Sequence, residues 1–354
     1  MANTYDINSI EVIDGIGCVQ KRPEMYVGDP DSPASLYQMA HFVIINAIDE
    51  HLAGSCTSMH VTMHADGSLS VCDNGPGVSL ATDEEGTSLL EKVLSKSPLT
   101  SKPWPANKPH VLLNPYYSIG IASALSSSLS AEVRQDGQTW RIELERGRVS
   151  KKLAMVGSAD RSGTTIRFAP DASVFAEPEF VVEKVAYRVR ELSALLPRLT
   201  MRFSCEGYEY ASSGRGVVEL LSGHGSTATG DAQHGPSSAQ VAFQWSDGSD
   251  ETHVAAYCNL DAVAEGTHID GFRQGLADAL GREDSAQVYE ALAPGLGAVV
   301  SVLVIDPAFR CPTYSYLGSK EAFAVVREAT MSALEADLAL RQYLKARLKT
   351  LDSL

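Results

Sequence analysis

Asp73 closes an alternating stretch, Leu69 to Cys72, and is followed at once by Asn74-Gly75-Pro76-Gly77. A carboxylate at a strand end can accept a hydrogen bond from an amino group on a flat ring. Glycines just behind it let the backbone approach that ring closely. Thr164, in Gly163-Thr164-Thr165-Ile166-Arg167-Phe168, can share the contact. Asn46 offers an amide oxygen of the kind that Mg2+ accepts among its retained waters. His41, Tyr116, Tyr117 and Tyr314 add groups able to hold or pass a proton. A carboxylate in apolar surroundings has its pKa raised, which makes Asp73 a proton carrier if the pocket is dry. Taken alone, Asp73-Asn74-Gly75 is equally a turn, and Asn46 equally the polar face of a helix.

These residues need elements to hold them. Leu36, Met39, Ala40, Val43, Ile44 and Ala47 recur at spacings of three and four, so Ser35–Leu52 reads as a helix carrying His41, Phe42, Asn46 and Asp49. Met59–Met63 and Leu69–Cys72 read as strands joined by an Asp66-Gly67 turn. Thr87–Leu94 and Ile119–Leu129 read as helices, and the proline-rich 98–115 as a loop. Ala131–Arg134, Thr139–Glu145 and Gly163–Phe168 read as antiparallel strands, and Val182–Leu195 as a helix. Ser222–Ser238, rich in Gly, Ser, Thr and His, reads as a mobile loop in which His224 and His234 are solvated. Strands are expected at Ala239–Trp245, His253–Cys258 and Ala298–Ile305, with helices at Gly271–Leu280, Gln287–Leu292 and Glu321–Leu351. Residues 1–15 read as an extended arm.

Composition narrows the function classes. The 354 residues suit one large or two medium domains, with 44% hydrophobic and 21% charged residues. No apolar run approaches the length of a membrane span, and the first residues lack a basic and apolar leader, so a cytoplasmic location is expected. A net charge of −15 repels DNA phosphates. The six cysteines are scattered without a Cys-x-x-Cys pair, which argues against a zinc site.

The order Phe42-Val43-Ile44-Ile45-Asn46-Ala47-Ile48-Asp49-Glu50, then Asp73-Asn74-Gly75-Pro76-Gly77, then Gly163–Phe168 resembles the ATP site of the DNA gyrase B / topoisomerase IV ATPase region, in the GHKL superfamily. Tyr5 to Ile10 and Lys21 to Gly28 are similar to that family's dimer-exchange arm and its anchor. Gly266-Thr267-His268-Ile269-Asp270-Gly271-Phe272 and Asp306-Pro307-Ala308-Phe309 are similar to its transducer domain. The resemblance implies an α+β fold: an N-terminal dimerisation arm (1–20), a GHKL (Bergerat) ATPase-like α/β sandwich (21–212), and a transducer-like domain related to ribosomal S5 domain 2, with a C-terminal helix (213–354). It implies an adenine contact at Asp73 and Thr164, and pocket-rim positions at Asp49 and Glu50, which read equally as surface charge. DNA strand passage is not expected of a chain of this length.

The departures are directional. The glutamate that activates water in the family matches Phe42, its orienting neighbour matches Gln38, and the acid before the asparagine matches Ile45. The glycine-rich phosphate lid matches 112–120, with Tyr116 and Ser118 in place of phosphate-contacting glycines. The glutamine and lysine that reach the terminal phosphate match Pro312 and Tyr314; Pro76 replaces an arginine, and Asp278 stands for a DNA-path arginine. Lys102 matches a lid-loop lysine and reads as a solvated charge. The expected ligand site is therefore Phe42, Asn46, Asp49, Asp73, Gly75, Gly77, Tyr116, Tyr117 and Thr164. It takes a small planar molecule, with no metal or cofactor expected and adenine nucleotide binding without hydrolysis left open. Two alternatives stand: a repurposed enzyme using Asp73, His41, Tyr116, Tyr117 and Tyr314 in acid–base chemistry on an organic substrate, or an inactive partner of a gyrase-like subunit. His41 either faces the pocket or lies on the helix surface. A homodimer through the arm is expected, with no DNA or membrane partner.

Overall fold

The computed structural model describes residues 15–96, 107–111, 119–222, 226–246 and 248–351. These fall into two units, one of residues 15–96, 119–187 and 202–210, the other of 107–111, 188–201 and 211–351. The elements are α and β in irregular order, as the α+β expectation requires.

The first unit opens with helices α1 (Gly15–Lys21), α2 (Glu24–Val27) and α3 (Pro33–Leu52). Ser32 caps α3 by accepting from the Ala34 amide, and Pro33 sits where a missing N–H costs nothing. Residues 15–20, expected to belong to the arm, are helical. Ile16 and Val19, one turn apart, are buried, and Gln20 Nε2 donates to the Ala124 and Arg146 carbonyls at 3.0 and 2.8 Å. Residues 1–14 lie outside the described residues.

Next come β1 (Ser58–Met63), β2 (Leu69–Asp73), α4 (Leu89–Ser95), α5 (Ile119–Ala124), β3 (Ser126–Gln135), β4 (Gln138–Glu145), β5 (Arg148–Ser158), β6 (Gly163–Pro170), α6 (Val182–Leu195), β7 (Thr200–Cys205) and β8 (Tyr208–Ala211). The eight strands form one sheet in the order β5-β4-β3-β6-β2-β1-β7-β8. The β1–β2 hairpin turns where expected, with Gly67 at φ +78°. The helix expected over Ile119–Leu129 stops at Ala124. Ser126 Oγ donates to the Ala122 carbonyl, and from Leu129 onward burial alternates through Ala131 and Val133, the two-residue period of a strand. β5 went unread because it is an edge strand without a buried face. Helix α3 packs on α5, β2 and β6.

The second unit holds a short 3-10 turn (Gly216–Leu220), β9 (Thr227–His234), β10 (Ser237–Trp245), β11 (His253–Cys258), β12 (Asp261–Ala262), β13 (Glu265–Gly266), α7 (Thr267–Leu280), α8 (Ser285–Leu292), β14 (Leu296–Leu303), β15 (Tyr316–Leu317), α9 (Lys320–Ala336) and α10 (Leu338–Leu351). Its main sheet runs β12-β11-β14-β10-β9, with β11 and β14 parallel. Two expectations are corrected here. Most of the supposed loop Ser222–Ser238 is strand: β9 pairs antiparallel with β10 through the Gly235 turn. A side chain at Gly230 would meet the Ala329 carbonyl at 2.1 Å, so the small residues of β9 allow α9 to lie directly on the sheet. The single helix expected over Glu321–Leu351 breaks at Asp337 (φ −108°, ψ 82°), whose carboxylate caps α10 by accepting from the Leu340 amide at 2.9 Å. Among the described residues, no helix is long and apolar enough to cross a membrane.

Candidate functional site

Helix α3 places Phe42, Asn46 and Asp49 on one face, because spacings of four and three bring side chains around to the same side. Phe42 is 1% exposed and packed as core, and Ile45 is also buried. Asn46, Asp49 and Gln38 are half-buried. His41 is buried at 3% exposure, so it is not a helix-surface histidine. Glu50, one turn past Asn46, is buried too, and its Cβ would lie 3.4 Å from a side chain placed on Gly75.

Asp73 ends β2 and is 5% exposed. Its Oδ1 accepts from the backbone N–H of Gly75 at 2.8 Å and of Thr164 at 3.2 Å. Thr164 therefore meets Asp73 through its main chain. One carboxylate oxygen is taken up in fixing the turn, which leaves Oδ2 to meet a ligand. Gly163 has φ +148°, and a Cβ there would stand 2.2 Å from the Asp73 carbonyl. Only glycine lets β6 come this close. Arg134, from β3, reaches across with Nη1 to Thr165 Oγ1 (2.9 Å) and Nη2 to the Asp73 carbonyl (3.3 Å). Gly77 (φ +86°) lies against Val133. Asn74 serves the scaffold: its Oδ1 accepts from the Thr57 and Ser58 amides at 2.9 and 2.8 Å, tying the turn to the start of β1.

Burial pushes the Asp73 carboxyl above its ordinary range, and the Glu50 charge adds to that; the Gly75 and Thr164 amides and Arg134 pull the other way. Burial, and then the Asp73 charge, raises the Cys56 thiol. The arrangement is a fixed acceptor in a largely dry setting, suited to hold a donor-bearing ring or to keep a proton. Asn46 supplies one amide oxygen, sufficient for a single contact to Mg2+. Among the described residues, no group of three His, Cys, Asp or Glu is placed to hold a metal ion.

The other expected residues are dispersed. Tyr116, Tyr117, Ser118, Lys102 and His224 lie outside the described residues. Tyr314 belongs to the second unit, 52% exposed at φ +55°, edge-on to Phe309 with ring centroids 4.9 Å apart. Pro312 is exposed on the same loop. His234 is exposed, as expected, but ends β9 rather than lying in a loop, with its Nε2 2.5 Å from Glu328 on α9. Asp278 pairs with Arg327 and accepts from Gln274. Glu50, expected at the pocket rim, lies beside Asp73, and Arg134 and Cys56, which were not expected there, complete its surroundings. Glu50 was legible as a helix neighbour, whereas Arg134 and Cys56 carry no local signal.

The family model described as DNA gyrase B matches residues 209–348. The DNA gyrase B subunit of Thermotoga maritima is 31% identical, over 94% of this chain and 56% of its own length. That of Haloferax volcanii is 30% identical, over 94% and 56%. The chain thus spans about half the length of the curated relatives it matches. Among solved structures, the 43K ATPase domain of Thermus thermophilus gyrase B, in complex with an aminocoumarin, superposes with a TM-score of 0.77 at 25% identity, covering 94% of this chain and 93% of that one. The gyrase B subunit of Myxococcus xanthus shares the fold, with a TM-score of 0.76 at 24% identity, covering 94% and 99%. Motif order, fold and relatives agree: this chain carries an ATPase-like region of the DNA gyrase B / topoisomerase type, with the GHKL fold.

Proposed function

We propose that this gyrase-B-like chain does not hydrolyse ATP and that its Asp73 cleft binds a small planar molecule. The observation that carries the reading is Phe42, a buried phenyl ring on the α3 face that presents Asn46 and Asp49. A phenyl ring accepts no proton, and general-base catalysis is worth about 10²–10⁴-fold. With Tyr314 and Pro312 in place of groups that grip a terminal phosphate, a further stabilisation of about 3 kcal/mol is missing. What remains is the part that recognises a flat, donor-bearing ring: Asp73 held by two amides, beside Gly75 and Gly77. The Thermus thermophilus neighbour was crystallised in complex with an aminocoumarin, an organic molecule, which supports testing organic ligands on this chain.

The test is a titration with ADP, a non-hydrolysable ATP analogue and a panel of planar aromatics, alongside a phosphate-release assay. Saturable binding that is weakened by Asp73→Ala, with no phosphate released, is expected. Phosphate release by the unaltered protein would overturn the proposal. The raised Asp73 carboxyl favours a second reading, in which the cleft is a repurposed acid–base site. Product formed from an organic substrate and lost on Asp73→Asn, with ligand binding kept, would select it.

A further inference from the structure

A cavity of about 500 Å³ lies in the first unit where the 80–91 segment faces the β3–β4 turn and β5. Its lining combines the Trp140 indole and the Leu80 side chain with Glu85, Glu91, Asp136 and Lys152. The Lys96 ammonium also reaches the lining, donating to Thr87 Oγ1 at 3.3 Å, so three carboxylates face two ammoniums and the net charge stays negative; an indole face attracts cations. The acidic groups are held by local structure. Asp83 Oδ1 accepts from the Glu85 and Thr87 amides at 3.0 and 2.8 Å and so shapes the turn bearing Glu85. Ser88 Oγ caps α4 by accepting from the Glu91 amide at 3.1 Å. Asp136 stands at φ +52° in the β3–β4 turn, and Trp140 is set on β4 opposite Met155.

We propose that this cavity is a separate binding site for an organic cation: an amine or quaternary ammonium carrying an apolar or aromatic body. The ammonium lies over Trp140 among the carboxylates, and the apolar body lies against Leu80. A phosphate-bearing or otherwise anionic ligand is rejected by the same charges.

The probe is benzyltrimethylammonium, with benzyl alcohol as the neutral comparator and benzenesulfonate as the anionic one. Binding is read by calorimetry and by the shift of the Trp140 indole N–H in NMR. Benzyltrimethylammonium is expected to saturate the site at least ten-fold more tightly than benzyl alcohol, and benzenesulfonate is expected not to bind. Trp140→Leu keeps apolar bulk but removes the ring face, and should weaken the cation by about ten-fold. Glu91→Gln should weaken it by about three-fold and flatten its salt dependence. Asp73→Asn should leave it unchanged, so that loss of this site and failure of the Asp73 reading are told apart. Equal affinity for benzyl alcohol, or unchanged cation affinity in a folded Trp140→Leu variant, would overturn the proposal.

Discussion

Phe42 is the residue on which the proposed loss of hydrolysis turns, and its burial complicates the obvious rescue. Placing a carboxylate where the ring is 1% exposed buries an unpaired charge and removes core packing. Phe42→Glu is expected to lose about 3 kcal/mol or more in urea unfolding. On the proposed reading it should release no phosphate even where still folded, because Pro312 and Tyr314 also stand where the family's phosphate-gripping residues are expected. Phe42→Leu, which keeps apolar bulk, should unfold at nearly the wild-type urea concentration, and a large loss there would contradict the packing argument. Asp73 yields a pH prediction with a definite sign. Its folded pKa is raised, so the native state holds a proton that the unfolded chain releases. The associated stability is present below the ordinary value of 3.8 and is lost as pH rises through the folded pKa. Asp73→Asn keeps an oxygen for the two amides and carries no proton to lose. Its stability relative to wild type should therefore grow as pH climbs from 3.8. A flat difference across that range would mean the carboxyl titrates normally.

At the scale of elements, helices with a 3.6-residue stripe were readable in sequence, and segments shaped by a neighbour were not. The α3 stripe from Leu36 to Ala47 places its buried face unaided. β9 shows the opposite. Its glycine and alanine content looks like loop chemistry until α9 is laid over it, whereupon Gly230 becomes the point where no side chain fits. Gly230→Ala is expected to cost about 2 kcal/mol through overpacking. Gly235→Ala, at the β9–β10 turn with nothing within 4 Å, should cost only the strain of φ +59°, about 1 kcal/mol. Thermal unfolding of the two variants checks the order, and equal losses would mean α9 does not seat on β9. The α9–α10 break was likewise invisible in the apolar pattern, which continues through Asp337; only the cap from Asp337 to Leu340 marks it.

For the whole molecule, the expectation of a homodimer through an N-terminal arm now has a sharper test. Residues 15–20 are packed, so removing 1–20 strips Ile16 and Val19 from the core as well as any exchange contact. Removing only 1–14 should give a monomer in sedimentation with an unchanged melting temperature. Removing 1–20 should add a stability loss of about 3 kcal/mol or more. A dimer that survives the shorter truncation would place the contact elsewhere. With a net charge of −15 and Asp278 paired to Arg327, duplex DNA binding should be weak; tight, salt-sensitive binding would reverse that expectation.

The amino-acid order alone determined the family likeness, the α3 helix and the β1–β2 hairpin. Each is carried by residues close together in the chain, where spacing and turn preference suffice. Tertiary structure decided what surrounds Asp73. The Thr164 amide that fixes Oδ1 is 91 residues away, and the Arg134 side chain on the Asp73 carbonyl is 61 away. It also decided that Phe42 and His41 are buried, that β9 is a strand, and that residues 15–20 belong to a core. Burial and long-range hydrogen bonds depend on which segments meet across a sheet, and no local pattern encodes that meeting.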